Sequence, residues 1–244
     1  MESQANYNPW LSIPSKKVDR VVRQVIDSFQ DCRGKLPDED LPQKCRIMIE
    51  AIRRYAEANI PVDYWPLDMA DFKGDKTLLK RYEQIAADIH GAYDSGLKIC
   101  FAGSYGLGKS MVSACILKKA VESGYSALYL NLTDIVTLMG SRDADKKYEA
   151  RQQLLTTDFL VVDEFDPRFM GSDNAADFYG RILEQTLRAR VQNTLPLFLC
   201  TNSPNPVSGF SGPLRQSISS LMQLVHIIPV IGNDYRPQVA SESK

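Results

Sequence analysis

Gly103-Ser104-Tyr105-Gly106-Leu107-Gly108-Lys109-Ser110 lies between the apolar run Leu97-Lys98-Ile99-Cys100-Phe101-Ala102 and a helical stretch from Lys109 to Ser123. The octet satisfies G-x-x-x-x-G-K-[ST] in the strand-to-helix setting that a P-loop needs. Glycines let successive N–H groups face phosphate oxygens at a helix N-terminus. Lys109 adds a point charge at the β/γ-phosphates, and the Ser110 hydroxyl reaches Mg2+. Over 244 residues, a chance match is on the order of 1%. Residues Gly103 to Ser110, with the adjoining Met111, are therefore read as an ATP site, and Ser110 also as a metal ligand.

Outward from this stretch, strands and helices alternate. Tyr125 to Leu130, Asp158 to Asp163, Leu195 to Thr201 and Val225 to Ile231 read as further strands. Helical patterns at Leu132 to Met139, Ala144 to Leu155, Asn174 to Val191 and Ser211 to Met222 separate them. With the strand before the P-loop this makes an α/β fold, a parallel five-stranded sheet flanked by helices. Pro229 places the last strand at an edge, because proline cannot donate to a ladder.

Asp158-Phe159-Leu160-Val161-Val162-Asp163-Glu164 is an apolar strand ending in two carboxylates. Downstream of a P-loop, Asp163 is placed to hold Mg2+ and Glu164 to orient and deprotonate the water that attacks the γ-phosphate. Leu195 to Asn202 is a second buried strand ending on polar residues. Strand C-termini point at the ligand crevice in such sheets, so Thr201 or Asn202 is a candidate for contacting that water or phosphate. The alternative is an Asn that only caps a turn.

Before the sheet, Lys16 to Asp31 and Leu41 to Asn59 carry apolar residues at helical spacing, separated by the loop Gly34 to Asp40, and Asp75 to Tyr93 reads as one more helix. The first dozen residues read as a loose arm. Two helices alone make a meagre core, so they must pack on the rest of the chain or on a partner.

Lys+Arg 29 against Asp+Glu 30 leaves a net charge of −1, which argues against a constitutive nucleic-acid or membrane-surface binder. The N-terminus has no signal-peptide pattern, and no apolar stretch approaches the ~18 residues that span a bilayer. Five cysteines without a C-x-x-C pair suit reduced thiols, and hence a cytoplasmic protein, better than disulfides or zinc. His90 and His226 lack ligand-spaced neighbours and read as structural. Trp65 reads as a packing residue at the domain junction.

The P-loop, the Val161-Val162-Asp163-Glu164 strand, the Cys200-Thr201-Asn202 strand and the closing Gly232-Asn233-Asp234-Tyr235-Arg236, in this order, resemble the DnaC/IstB-like branch of the AAA+ ATPases, which includes bacterial and phage helicase loaders. The resemblance runs from about Ile60 to Arg236, and Pro61 to Trp65 with Asp71-Phe72-Lys73-Gly74 looks like the segment leading into the nucleotide domain of phage loaders. It implies a P-loop NTPase of AAA+ type over residues 61–244, a small N-terminal helical region over residues 1–60 that binds a partner, and no C-terminal lid domain.

The resemblance also implies ATP and Mg2+ as cofactors and self-association into an oligomer in which an arginine reaches the neighbouring subunit's γ-phosphate. Loaders carry that arginine in a Ser-Arg-Leu-like context, where this chain reads Ile218-Ser219-Ser220-Leu221. Arg215, one turn earlier, is the expected substitute, and Arg188 and Arg190 are the other candidates. Arg236 is implied to reach the nucleotide or an interface; a surface arginine is the alternative. Arg142 to Arg151 falls where loaders and initiators insert a pore-facing helix. Arg142, Lys146, Lys147 and Arg151 there suit a phosphate backbone, with Tyr148 available for stacking, and a solvated helix face is the alternative.

Together these readings predict a helicase loader that binds and hydrolyses ATP on ssDNA to deliver a DnaB-like replicative helicase, with Lys109, Glu164, Asn202 and Arg215 catalytic. The rivals are an IstB-like regulator of a DNA transposase, a small-molecule P-loop kinase, and a nucleotide-dependent assembly switch that does not hydrolyse.

Overall fold

Five parallel strands in the spatial order β2-β3-β4-β1-β5 form the centre of the molecule. They are β1 (Lys98–Ala102), β2 (Ala127–Asn131), β3 (Phe159–Asp163), β4 (Leu197–Thr201) and β5 (His226–Pro229). The structure is a computed structural model and describes residues 9–37, 40–165, 173–208 and 210–235. Strand β4 is inserted between β1 and β3, pairing Leu197 with both Lys98 and Leu160. The P-loop after β1, the carboxylates after β3 and Asn202 after β4 therefore emerge side by side at one end of the sheet.

Side chains alternate across each strand, and the two faces bury different residues. Ile99, Phe101, Tyr129, Phe159, Val161, Phe198 and Cys200 meet α1 (Ser15–Ser28), α2 (Gln43–Glu57), α3 (Lys76–Ala87), α4 (Ile89–Asp94) and α5 (Lys109–Glu122). Cys100, Leu128, Leu130, Leu160, Val162, Leu197 and Leu199 meet α6 (Leu132–Met139), α7 (Ala144–Thr156), α8 (Asp173–Gln192) and α9 (Gly212–Met222). Near-continuous apolar strands follow from this coverage of both faces. Strand β5 sits at the edge, with Pro229 opposite Ala102, as proline requires.

The helical hairpin α1–α2 packs on the rest of the chain. Val22, Ile26, Cys45, Ile49 and Ile52 enter the same buried cluster as the α5 face of the sheet, and the Tyr55 hydroxyl bonds Glu122 of α5. The expected loose arm is anchored from Trp10 onward: Trp10 is buried, and Ser12 N and Oγ donate to Asn59 Oδ1 at 3.2 and 2.8 Å. The single helix expected over Asp75 to Tyr93 is two, because Asp88 leaves the helical conformation and its carboxylate accepts from Gly91 N at 3.1 Å, capping α4.

Between the hairpin and the sheet, residues 61–67 lie along α5. Buried Lys118 fixes them, donating to the carbonyls of Tyr64 (3.2 Å), Trp65 (2.8 Å) and Leu67. Burial pushes the Lys118 ammonium below its ordinary range. Trp65 is buried in the same cluster, and its Nε1 donates to Ile60 O at 2.8 Å. His90 bonds the Tyr125 hydroxyl at 2.7 Å. All five cysteines are buried free thiols, and no helix among the described residues is long and apolar enough to cross a membrane.

Candidate nucleotide site

Two glycines of the P-loop adopt left-handed backbone conformations, Gly106 at φ +72° and Gly108 at φ +80°. A Cβ at Gly108 would press on the Phe72 ring at 2.9 Å, and one at Gly106 would sit 1.8 Å from Asp234 Oδ1. Only glycine suits both the backbone and the space. The loop delivers Lys109 and Ser110 into the first turn of α5, where unpaired N–H groups and the helix dipole favour an anion.

Lys109 is buried at 6% exposure. Its Nζ donates to Gly103 O (2.9 Å), Ser104 O (2.6 Å) and Asn202 Oδ1 (2.9 Å). Asn202 thus meets the P-loop lysine directly. Thr201, the other candidate on that strand, is fully buried and accepts from Ser203 N at 3.1 Å, shaping the turn.

Asp163 ends β3, with Oδ1 accepting from Glu164 N at 2.8 Å and Oδ2 from the Tyr129 hydroxyl at 2.5 Å. Burial, then the Asp163 charge, holds the Tyr129 phenol well above its usual range. The Tyr64 phenol is raised by burial and next by the Asp163 charge, with Ser110 opposing. Glu164 is exposed and has φ +52°. A non-glycine residue in this region costs on the order of 1–3 kcal/mol, and such strain clusters at functional turns.

The closing segment docks on the same loop. Tyr235 N donates to Gly106 O at 3.0 Å, and Val230 N to Ala102 O at 2.7 Å. Arg236 lies outside the described residues. Sequence reasoning missed Tyr64, Tyr129 and Asp234 as site residues; Tyr129 reads as a mid-strand core residue, and the linker held no signal for Tyr64.

Of the arginine candidates, Arg190 is ruled out as a residue reaching a neighbouring subunit. It is fully buried, and its guanidinium donates to the carbonyls of Pro196 (3.0 and 2.6 Å), Leu154 (3.1 Å), Thr157 (2.9 Å) and Asp158 (2.7 Å). These lie at the opposite end of the strands from the P-loop. Arg188 bonds Glu184 at 2.5 Å and Ser217 at 3.2 Å, joining α8 to α9. Arg215 is exposed on α9, and no hydrogen bond or ion pair to the described residues engages its side chain. On α7 and just before it, Arg142, Lys146 and Arg151 are exposed, Tyr148 is 66% exposed, and Ala150 and Leu154 anchor the opposite side.

No known family profile matches the chain, and no curated protein does. Solved structures do. The replication initiator DnaA bound to AMPPCP and single-stranded DNA is similar at TM-score 0.57 and 16% identity, over 75% of this chain and 55% of that one. DnaI is similar at TM-score 0.56 and 16% identity, over 72% of this chain and 94% of that one. The DnaC helicase loader is similar at TM-score 0.54 and 16% identity, over 70% of this chain and 100% of that one. The chain thus spans about half the length of the DnaA structure it matches, and its fold is the P-loop AAA+ fold.

The donor set fits a nucleoside triphosphate and a divalent ion: a glycine cradle at a helix N-terminus, a lysine, a serine hydroxyl and a strand-end carboxylate at one end of the sheet. Lys109 and the N–H groups of the loop would hold phosphate oxygens, and Ser110 and Asp163 the Mg2+.

Proposed function

We propose that this chain is an ATP-dependent helicase loader of the DnaC/IstB-like branch, hydrolysing ATP as an oligomer on ssDNA and delivering a DnaB-like helicase. The observation that carries the ATPase part is the contact between Lys109 and Asn202, which brings the phosphate-binding lysine and a polar strand-end side chain together beside Asp163-Glu164. A carboxylate following the metal-binding aspartate suits activation of water rather than transfer to a second substrate.

In this reading Lys109 binds the phosphates, Glu164 takes the proton of the attacking water, Asn202 orients that water, and Ser110 and Asp163 hold Mg2+. Mg2+, when bound, neutralises charge developing on the phosphoryl oxygens. Arg215, exposed and unengaged by the described residues, supplies the arginine in trans, a contribution worth about 10³ to 10⁵ in rate in related mechanisms. The loader part draws support from the fold shared with DnaC and DnaI and from the exposed cations Arg142, Lys146 and Arg151 on and just before α7. Residues 1–60 would receive the helicase.

ATP hydrolysis measured with and without ssDNA and a DnaB-like helicase tests the whole reading. Turnover that rises with either, is lost in Lys109→Ala, and is replaced by trapped ATP in Glu164→Gln is the expected result. Normal turnover in either variant would reject the site. Capture of a transposase in place of the helicase would move the chain to the IstB-like reading.

A further inference from the structure

Strand β2 is an edge of the sheet, yet its central residue is not left open. Tyr129 N donates to Ala58 O at 2.8 Å, and Asn59 Nδ2 donates to Tyr129 O at 3.1 Å. Both backbone groups that face away from β3 are thus satisfied by the two residues that follow α2. Asn59 is 6% exposed and left-handed at φ +54°, and its Oδ1 receives both Ser12 bonds.

The same Tyr129 carries its side chain to the nucleotide end of the sheet. It is paired across the strands with Val161, two residues before Asp163 on the same face, and its hydroxyl donates to Asp163 Oδ2 at 2.5 Å. That carboxylate has two anchored oxygens, one on the Glu164 backbone and one on this phenol. A residue that orients a metal-binding carboxylate sets how well the metal is held, and losing such a partner typically costs 10- to 100-fold in affinity.

We propose that Tyr129 is a positioning residue for the metal carboxylate Asp163, and that through Ala58 and Asn59 it makes metal binding responsive to the α1–α2 hairpin. The inference rests on the P-loop reading of Lys109, Ser110 and Asp163. The chain of contacts is short: hairpin end, edge-strand backbone, phenol, carboxylate. A partner that shifts α2 by a fraction of an ångström would reach Asp163 through two hydrogen bonds and one side chain.

Binding of a fluorescent ATP analogue to the full chain, titrated with Mg2+, tests this without relying on turnover. Tyr129→Phe keeps the ring and removes the donor. The Mg2+ concentration at half effect should rise about tenfold, while affinity measured without Mg2+ stays unchanged. A midpoint within about twofold of wild type would overturn the positioning role.

Asn59→Gly keeps the left-handed backbone and removes the side-chain bonds. It should raise the midpoint several-fold alone and add nothing in the Tyr129→Phe background, whereas independent, additive effects would overturn the relay. Should Asn59→Gly fail to fold, Asn59→Asp replaces it, keeping the acceptor for Ser12 and losing the donor to Tyr129. Wild-type chain that binds no analogue at all would instead overturn the P-loop reading, and this inference with it.

Discussion

Lys109 Nζ lies 2.9 Å from Asn202 Oδ1, so the cation of the P-loop and the polar end of the inserted strand β4 share one hydrogen bond. Asn202→Ala should leave ATP affinity within a few-fold of wild type and lower hydrolysis by about 10²-fold, the scale seen when one preorganised polar contact to the reacting oxygens is lost. Parallel binding and single-turnover measurements check this. Unchanged turnover would mark Asn202 as a turn former.

Arg190 offers a test of the fold. Truncating this fully buried side chain strips donors from four carbonyls, and leaving a buried acceptor unsatisfied typically costs about 1–3 kcal/mol. Arg190→Met restores the apolar volume without the donors and should still unfold at a clearly lower Tm. Arg190→Lys should rescue little, since one ammonium cannot span carbonyls on α7 and in the segments just before β3 and β4. A Tm equal to wild type in both variants would refute the clamp.

Alkaline pH should destabilise the protein through its thiols. Burial pushes Cys100 up to about 12 and Cys115 up to about 11, the latter opposed by Lys118. An unfolded thiol ionises near ~8.5. The stabilising contribution is therefore complete below ~8.5 and declines as pH rises toward the folded values, by up to about 1.4 kcal/mol per pH unit for each thiol. Denaturant melts between those limits should show the slope, and Cys100→Val should reduce it. An equally steep slope in that variant would assign the effect elsewhere.

Reversing charge on the exposed face of α7 should weaken ssDNA. In the Lys146→Glu, Arg151→Glu double variant, fluorescence anisotropy at several salt concentrations should give a shallower salt dependence, by about 0.7 in the log-log slope per lost phosphate contact. A salt dependence identical to wild type would leave α7 as a solvated helix.

Much of the architecture was legible in the chain itself. The P-loop octet, the Phe159 to Asp163 run and the Leu197 to Thr201 run are local patterns, and each strand and its following helix emerged within a residue or two of expectation. Asp88 escaped notice because apolar periodicity continues across it while its side chain caps a new helix. Arg190 read as a candidate for reaching a neighbouring subunit because its partners are backbone carbonyls, which leave no acidic trace in sequence. Tyr64 and Tyr129 were missed for a related reason: their roles depend on residues 34 to 46 positions away, brought near only by strand order and by Lys118.

The two borders of the sheet have a shared consequence. On one side, Ala58 and Asn59 occupy the outward backbone groups of Tyr129. On the other, Val230 N points inward to Ala102, so alternation turns the amides of positions 227 and 229 outward, and Pro229 has none to offer. Both borders are thus blunted as templates for another strand. Among the described residues the sheet's borders discourage strand-to-strand joining and leave helices and loops, the parts that can tilt and slide, as the surfaces a joint would use.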